Sequence, residues 1–196
     1  MKCYNEQHLI DSLSELPAPA RVAFAALCAE RILPATESAV GANGESVRAL
    51  LDSALDALWQ DVTGQPLSGE RLETLLAECM ALLSEEPQGW SESNPYAEDA
   101  VASVAYAIRT RLSDEAREAA WAARRAYEAA DQAAIRQRDL DMNSPGAEAE
   151  VLSDPLVQAE LRYQSDDLIQ LRDVQDDPSA LLKLRQDARR NAHRLG

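Results

Sequence analysis

The stretch Val22-Ala-Phe-Ala-Ala-Leu-Cys-Ala29 decides how this sequence is read: eight apolar residues in a row, followed at once by Glu30-Arg31 and then Ile32-Leu33-Pro34. Pro19 opens the segment and Pro34 ends it, so the spacing predicts a helix over about 19–33. A helix with no polar face over two turns is enclosed on nearly all sides, which makes it the centre of a bundle. An acid and a base at its far end then sit at the core boundary, where each charge needs a partner.

Outward from that segment, punctuation by Pro, Gly and Asx cuts the 196 residues into about eight helical segments. Asn5 caps a short helix running to Leu16. Val47, Leu50, Leu51, Ala54, Leu55, Leu58 and Val62 recur at amphipathic spacing, and Leu72, Leu75, Leu76, Cys79, Leu82 and Leu83 repeat the pattern behind a Ser68 cap. After an irregular stretch from Glu85 to Pro95 comes a helix over Tyr96–Leu112, then an alanine-dense one from Asp114 to about Asp141, capped by Ser113. Met142–Ser153 reads as a second long loop, and Asp154-Pro155 and Asp177-Pro178 each open a further helix with an Asx cap before proline. Val157, Leu161, Gln164, Leu168 and Leu171 form a 4-3-4-3 stripe, expected to pack inside the bundle in preference to forming a homodimer seam.

Composition agrees. There are 35 alanines and 26 leucines against only 18 Val, Ile and Thr together, and aromatics make up 5%. Strong helix formers therefore dominate over strand formers, and the expected fold is all-α: one helical domain over 1–196 around the buried central helix. No apolar run reaches the 18 residues of a membrane span, and no signal segment precedes Leu9, so a cytoplasmic chain with no membrane partner is expected. Three cysteines, Cys3, Cys28 and Cys79, are too few and too scattered for a disulfide framework.

Charge excludes one function class. Acids outnumber bases 34 to 19, a formal net of −15. Residues 178–196 carry +4 and the remainder −19. A nucleic-acid partner would meet long-range repulsion. The basic C-terminal helix reads instead as one lying on acidic neighbours.

The catalytic inventory is sparse. Di-iron bundles use Glu-x-x-His pairs, but the residues three places before His8 and His193 are Asn5 and Arg190. No zinc spacing, HExxH, GxxxxGK[ST] or GxGxxG is present, so no metal, cofactor or catalytic residue is assigned. Both histidines are expected on exposed helices, and Cys28 and Cys79 fall on apolar faces where burial makes a thiol inert. Carboxylate pairs such as Asp52/Asp56 and Asp166/Asp167 arise readily in so acidic a chain, and most are expected to be solvated, one serving as an acid/base pair only if a cleft raises its pKa. Glu30-Arg31 remain as either a structural ion-pair network, the preferred reading, or the floor of a pocket that also takes in Asp52. Trp59 is expected at the edge of its helix. Trp90, beside Gly89 in the irregular stretch, is a plausible anchor for a partner or a partly buried side chain.

The segment Phe24-Ala-Ala-Leu-Cys-Ala-Glu-Arg-Ile-Leu-Pro34 resembles the signature of the YjaG-like bacterial family, domain of unknown function 416. Leu51-Asp52 with Leu58-Trp59, Pro95 with the acidic helix after it, and Asp154-Pro155-Leu-Val-Gln-Ala-Glu160 are similar to its later helices. Ala35-Thr36-Glu37 depart from it, standing where the family has aromatic and asparagine residues. The resemblance implies an all-helical cytoplasmic fold and no known activity. From charge and the empty inventory, the leading expectation is a non-enzymatic module that binds a basic protein. An immunity protein capping a basic toxin is a narrower version. The competing class is a small-ligand binder or enzyme built on the Glu/Arg/Asp cluster.

Overall fold

The computed structural model describes residues 1–38, 42–84, 95–174 and 176–193. Among these there is no strand, and the order of helices is α1 (Glu6–Ser14), α2 (Ala18–Ile32), a 3-10 segment (Leu33–Ser38), α3 (Ala42–Val62), α4 (Gly69–Ser84), α5 (Pro95–Ser113), α6 (Ala116–Gln137), α7 (Ala147–Leu152), α8 (Pro155–Val174) and α9 (Pro178–Arg190). The chain is an all-α bundle.

Helix α2 packs against α3, α5, α6, α8 and α9, and every residue from Val22 to Ile32 is buried. Its central place follows from its composition: with no polar residue over two turns, no orientation leaves a face suited to water. On the side facing α5 and α6 the fit is made with alanine. Ala119, Ala122, Ala123, Ala126, Ala129, Ala130 and Ala133 are all fully buried on α6. Side chains this small let helix axes approach closely, and the Ser103 hydroxyl of α5 bonds the Ala122 carbonyl of α6 at 3.1 Å across that contact.

Local chemistry sets the helix ends. Asn5 Oδ1 accepts the His8 amide, Ser68 Oγ accepts the Arg71 amide, and Asp154 and Asp177 accept amides at the starts of α8 and α9. Two local expectations change. Ser113 ends α5 instead of capping α6; Asp114 turns the chain with a left-handed φ of 58°, and α6 begins after Glu115. The expected loop Met142–Ser153 contains α7, launched from Gly146 at φ 89°, a conformation glycine adopts without strain. Val157, Leu161, Gln164 and Leu171 of the 4-3-4-3 stripe are buried within the bundle. No helix among the described residues is long and apolar enough to cross a membrane.

Candidate functional site: a buried charge network at the end of the central helix

Consecutive residues on a helix point about 100° apart, so Glu30 and Arg31 reach different neighbours. Arg31, 1% exposed, turns to α8. Its Nε and Nη2 donate to Glu160 Oε2 and Oε1 at 2.8 and 3.0 Å, and Nη1 donates to Asp167 Oδ2 at 2.7 Å. Nη2 also meets Cys28 Sγ at 3.3 Å, and the guanidinium lies 5.6 Å from the Tyr163 ring centre. Of the five N–H groups an arginine carries, four are engaged inside the protein.

Glu160 is fully buried and collects the other donors. His193 Nε2 lies 2.7 Å from its Oε2, a pairing that requires the proton on Nε2, and Gln164 Nε2 donates to Oε1 at 2.8 Å. The backbone of His193 docks as well, its N–H donating to the Arg31 carbonyl at 2.8 Å. Burial pushes the Glu160 carboxyl up, but the charge of Arg31 and the bonds from His193 and Arg31 outweigh it and hold the group well below the usual carboxylate range. Asp167 goes the other way: burial raises it, and its share of Arg31 offsets this only partly. Burial likewise raises the Cys28 thiol, despite the opposing charge of Arg31. That thiol is inert as a nucleophile.

Glu30, also buried, faces α3 and α9. Trp59 Nε1 donates to Oε1 at 3.1 Å, while Arg185 Nε and Arg189 Nε donate to Oε1 and Oε2, each at 2.6 Å. Arg185 continues to Asp56 and Arg189 to Asp52 at 3.2 Å, so the C-terminal helix is clamped to α2 and α3. Asp52 is partly exposed and is also bonded by Arg48 Nε at 2.8 Å. Trp59 is not at an edge. It is 1% exposed, with Arg185 lying 5.8 Å from its ring centre. His193 is 4% exposed, contrary to its expected position on an exposed helix. Trp90 lies outside the described residues.

The structure thus brings Glu30, Asp52 and Trp59 into one half of a network and Arg31 into the other. Sequence reading missed Glu160, Asp167 and His193 as partners; it laid the basic C-terminal helix on acidic neighbours without saying which, and for Arg185 and Arg189 these are Glu30, Asp52 and Asp56. A signal for the first two was present: Glu160, Gln164 and Asp167 share one face at i, i+4 and i+7, beside the apolar stripe. A recess of about 200 Å³ opens beside Arg31 and Asp167, lined also by Tyr163, Asp187 and Asn191. With most of the guanidinium engaged, it offers an anion little. No group of three or more His, Cys, Asp or Glu positioned to hold a metal ion occurs among the described residues.

The chain is thus an all-helical bundle closed by an internal Arg–carboxylate–His network. The chain belongs to the DUF416 family, proteins of unknown function, whose model matches residues 8–193. A DUF416 family protein from Shewanella baltica OS155 has a similar solved fold, with a TM-score of 0.72 at 18% identity, covering 91% of this chain and 92% of that one. No curated protein matches this sequence.

Proposed function

We propose that this chain is a non-enzymatic interaction module whose acidic exterior receives a basic protein. What supports the reading is the disposition of charge. Among the described residues, arginines 21, 31, 48, 109, 111, 124, 125, 138, 172, 185, 189 and 190 are all engaged in ion pairs within the chain. Acids outnumber bases 34 to 19, so with these cations committed inside the chain the net of −15 leaves acids in excess. The outer face of α4 is the clearest case: Glu70, Glu73 and Glu78 are exposed, and Arg71 is the one base in that helix. Such a face speeds encounter with a cationic partner and repels anionic ones. The chain acts as a single domain over 1–196, in cytoplasmic surroundings that keep the exposed thiol of Cys3 reduced.

A tagged protein captured from its host at about 50 mM salt is expected to bring down one stoichiometric basic protein that leaves by about 300 mM, because screening shortens exposed charge attraction over that range. The triple variant Glu70→Lys, Glu73→Lys, Glu78→Lys is expected to lose it. No stoichiometric partner, or one indifferent to salt and to the variant, overturns the reading.

A further inference from the structure

The N-terminal segment is tied to α6 and α8. The side-chain amide of Gln158 grips the Lys2 backbone from both sides, accepting its N–H and donating to its carbonyl, each at 2.8 Å. Tyr4 stacks on Tyr127 with ring centres 4.8 Å apart, and its hydroxyl donates to the Ala120 carbonyl at 3.3 Å. Fixed in this way, residues 2–5 wall a groove of about 480 Å³ between α1 and α8, a size typical of small-molecule sites.

The lining contrasts with the rest of the molecule. It contains no Asp or Glu, although acids outnumber bases 34 to 19 in the chain. Leu9, Leu161, Leu168 and Ile169 supply an apolar wall, Lys2 and Arg172 supply the cations, and Asn5, His8, Ser12 and Ser165 add neutral polar groups. Ile169 is 62% exposed and lines the groove beside Leu168, an apolar side chain left in water. Gln164 lies in the groove with both amide hydrogens spent inward, on the Ala123 carbonyl at 3.0 Å and on Glu160. The interior therefore offers an anion no donor from this side chain, whereas Arg172 is half exposed and pairs with the exposed Glu15. A ligand that satisfies this lining has hydrocarbon inside and negative charge at the rim.

We infer that the groove between the N-terminal segment, α1 and α8 binds a small amphipathic anion, a monocarboxylate on an apolar body. This site is separate from the acidic face proposed for a protein partner. Decanoate, titrated calorimetrically into the full chain, is expected to bind saturably at one site. Decanol, equal in length and uncharged, is expected to bind at least tenfold more weakly. Ile169→Asp, at an exposed position that does not threaten folding, is expected to weaken decanoate at least tenfold by placing a charge against its hydrocarbon. Arg172→Glu is expected to weaken decanoate severalfold while leaving decanol unchanged. Leu182→Asp, exposed on α9 outside the groove, leaves both unchanged. The absence of saturable decanoate binding, equal affinity for decanol, or indifference to Ile169→Asp each overturns the assignment.

Discussion

Arg31 is the residue whose loss the fold tolerates least. Replacing it with methionine keeps the apolar stem but leaves Glu160 and Asp167 facing each other without their shared cation. Breaking a buried pair from one side in this way costs about 3–5 kcal/mol, so urea unfolding of Arg31→Met is expected to show a loss of that order. Adding Glu160→Gln to the same chain is expected to recover part of it, because the stranded charge is then gone. Acidity divides the buried carboxyls by sign. Glu160 titrates below its unfolded value of 4.5, so its stabilisation is complete above that pH and drains away as the pH falls. Asp99 is pushed by burial from 3.8 to about 6, with Arg125 opposing only in part. The folded state then holds a proton that the unfolded chain has already released, and this group's contribution declines as the pH rises from about 4 to 6. Asp99→Asn is expected to match the parent near pH 4 and to exceed it at pH 7 by at most about 3 kcal/mol, read from denaturant midpoints across that range.

Among the elements, α6 and α9 hold α2 by opposite means. The alanine stripe of α6 leaves no room, so Ala126→Leu is expected to overpack the contact and cost about 1–3 kcal/mol in thermal or urea unfolding. Helix α9 is held by charge. The double variant Arg185→Ala, Arg189→Ala leaves the Glu30 carboxylate with Trp59 alone, and hydrogen exchange is expected to quicken along α9 before it does in α6. Legibility in the sequence follows the same division. An unbroken apolar run marked α2, and apolar periodicity marked α3 and α4, because burial there is written into consecutive turns. The Glu30-Arg31 dyad was legible as a charge in need of partners. Its partners on α8 were not, since Glu160 and Asp167 lie far along the chain among residues whose local pattern is that of a solvated helix face, and the basic α9 announced acidic neighbours without saying which. His193 was hidden for a related reason: it follows the end of α9, where nothing nearby signals burial. Gly146 concealed α7, because a Ser-Pro-Gly turn reads as loop whether or not a helix starts behind it.

At the scale of the whole molecule, a net charge of −15 acts on the compact state as self-repulsion. The buried network is shielded from solvent ions, while the acids on the exterior are not. Raising salt from about 10 to 300 mM is therefore expected to raise the melting temperature, since screening relieves repulsion more than it weakens the interior pairs. A fall in melting temperature would instead place the exposed ion pairs in control.

The clamp between Glu30 and Arg185 also joins residues 155 positions apart. At ribosomal rates of about 5–20 residues per second, roughly 8–30 s separates their synthesis. For most of that interval the most apolar segment of the nascent protein ends in an acid and a base whose charged partners have not been made. The central helix therefore cannot take its final surroundings while translation is under way. A stalled nascent chain lacking residues from 155 onward is expected to remain protease-sensitive or to recruit a chaperone at Val22–Ile32. The charges that lock the finished bundle thus also time its completion.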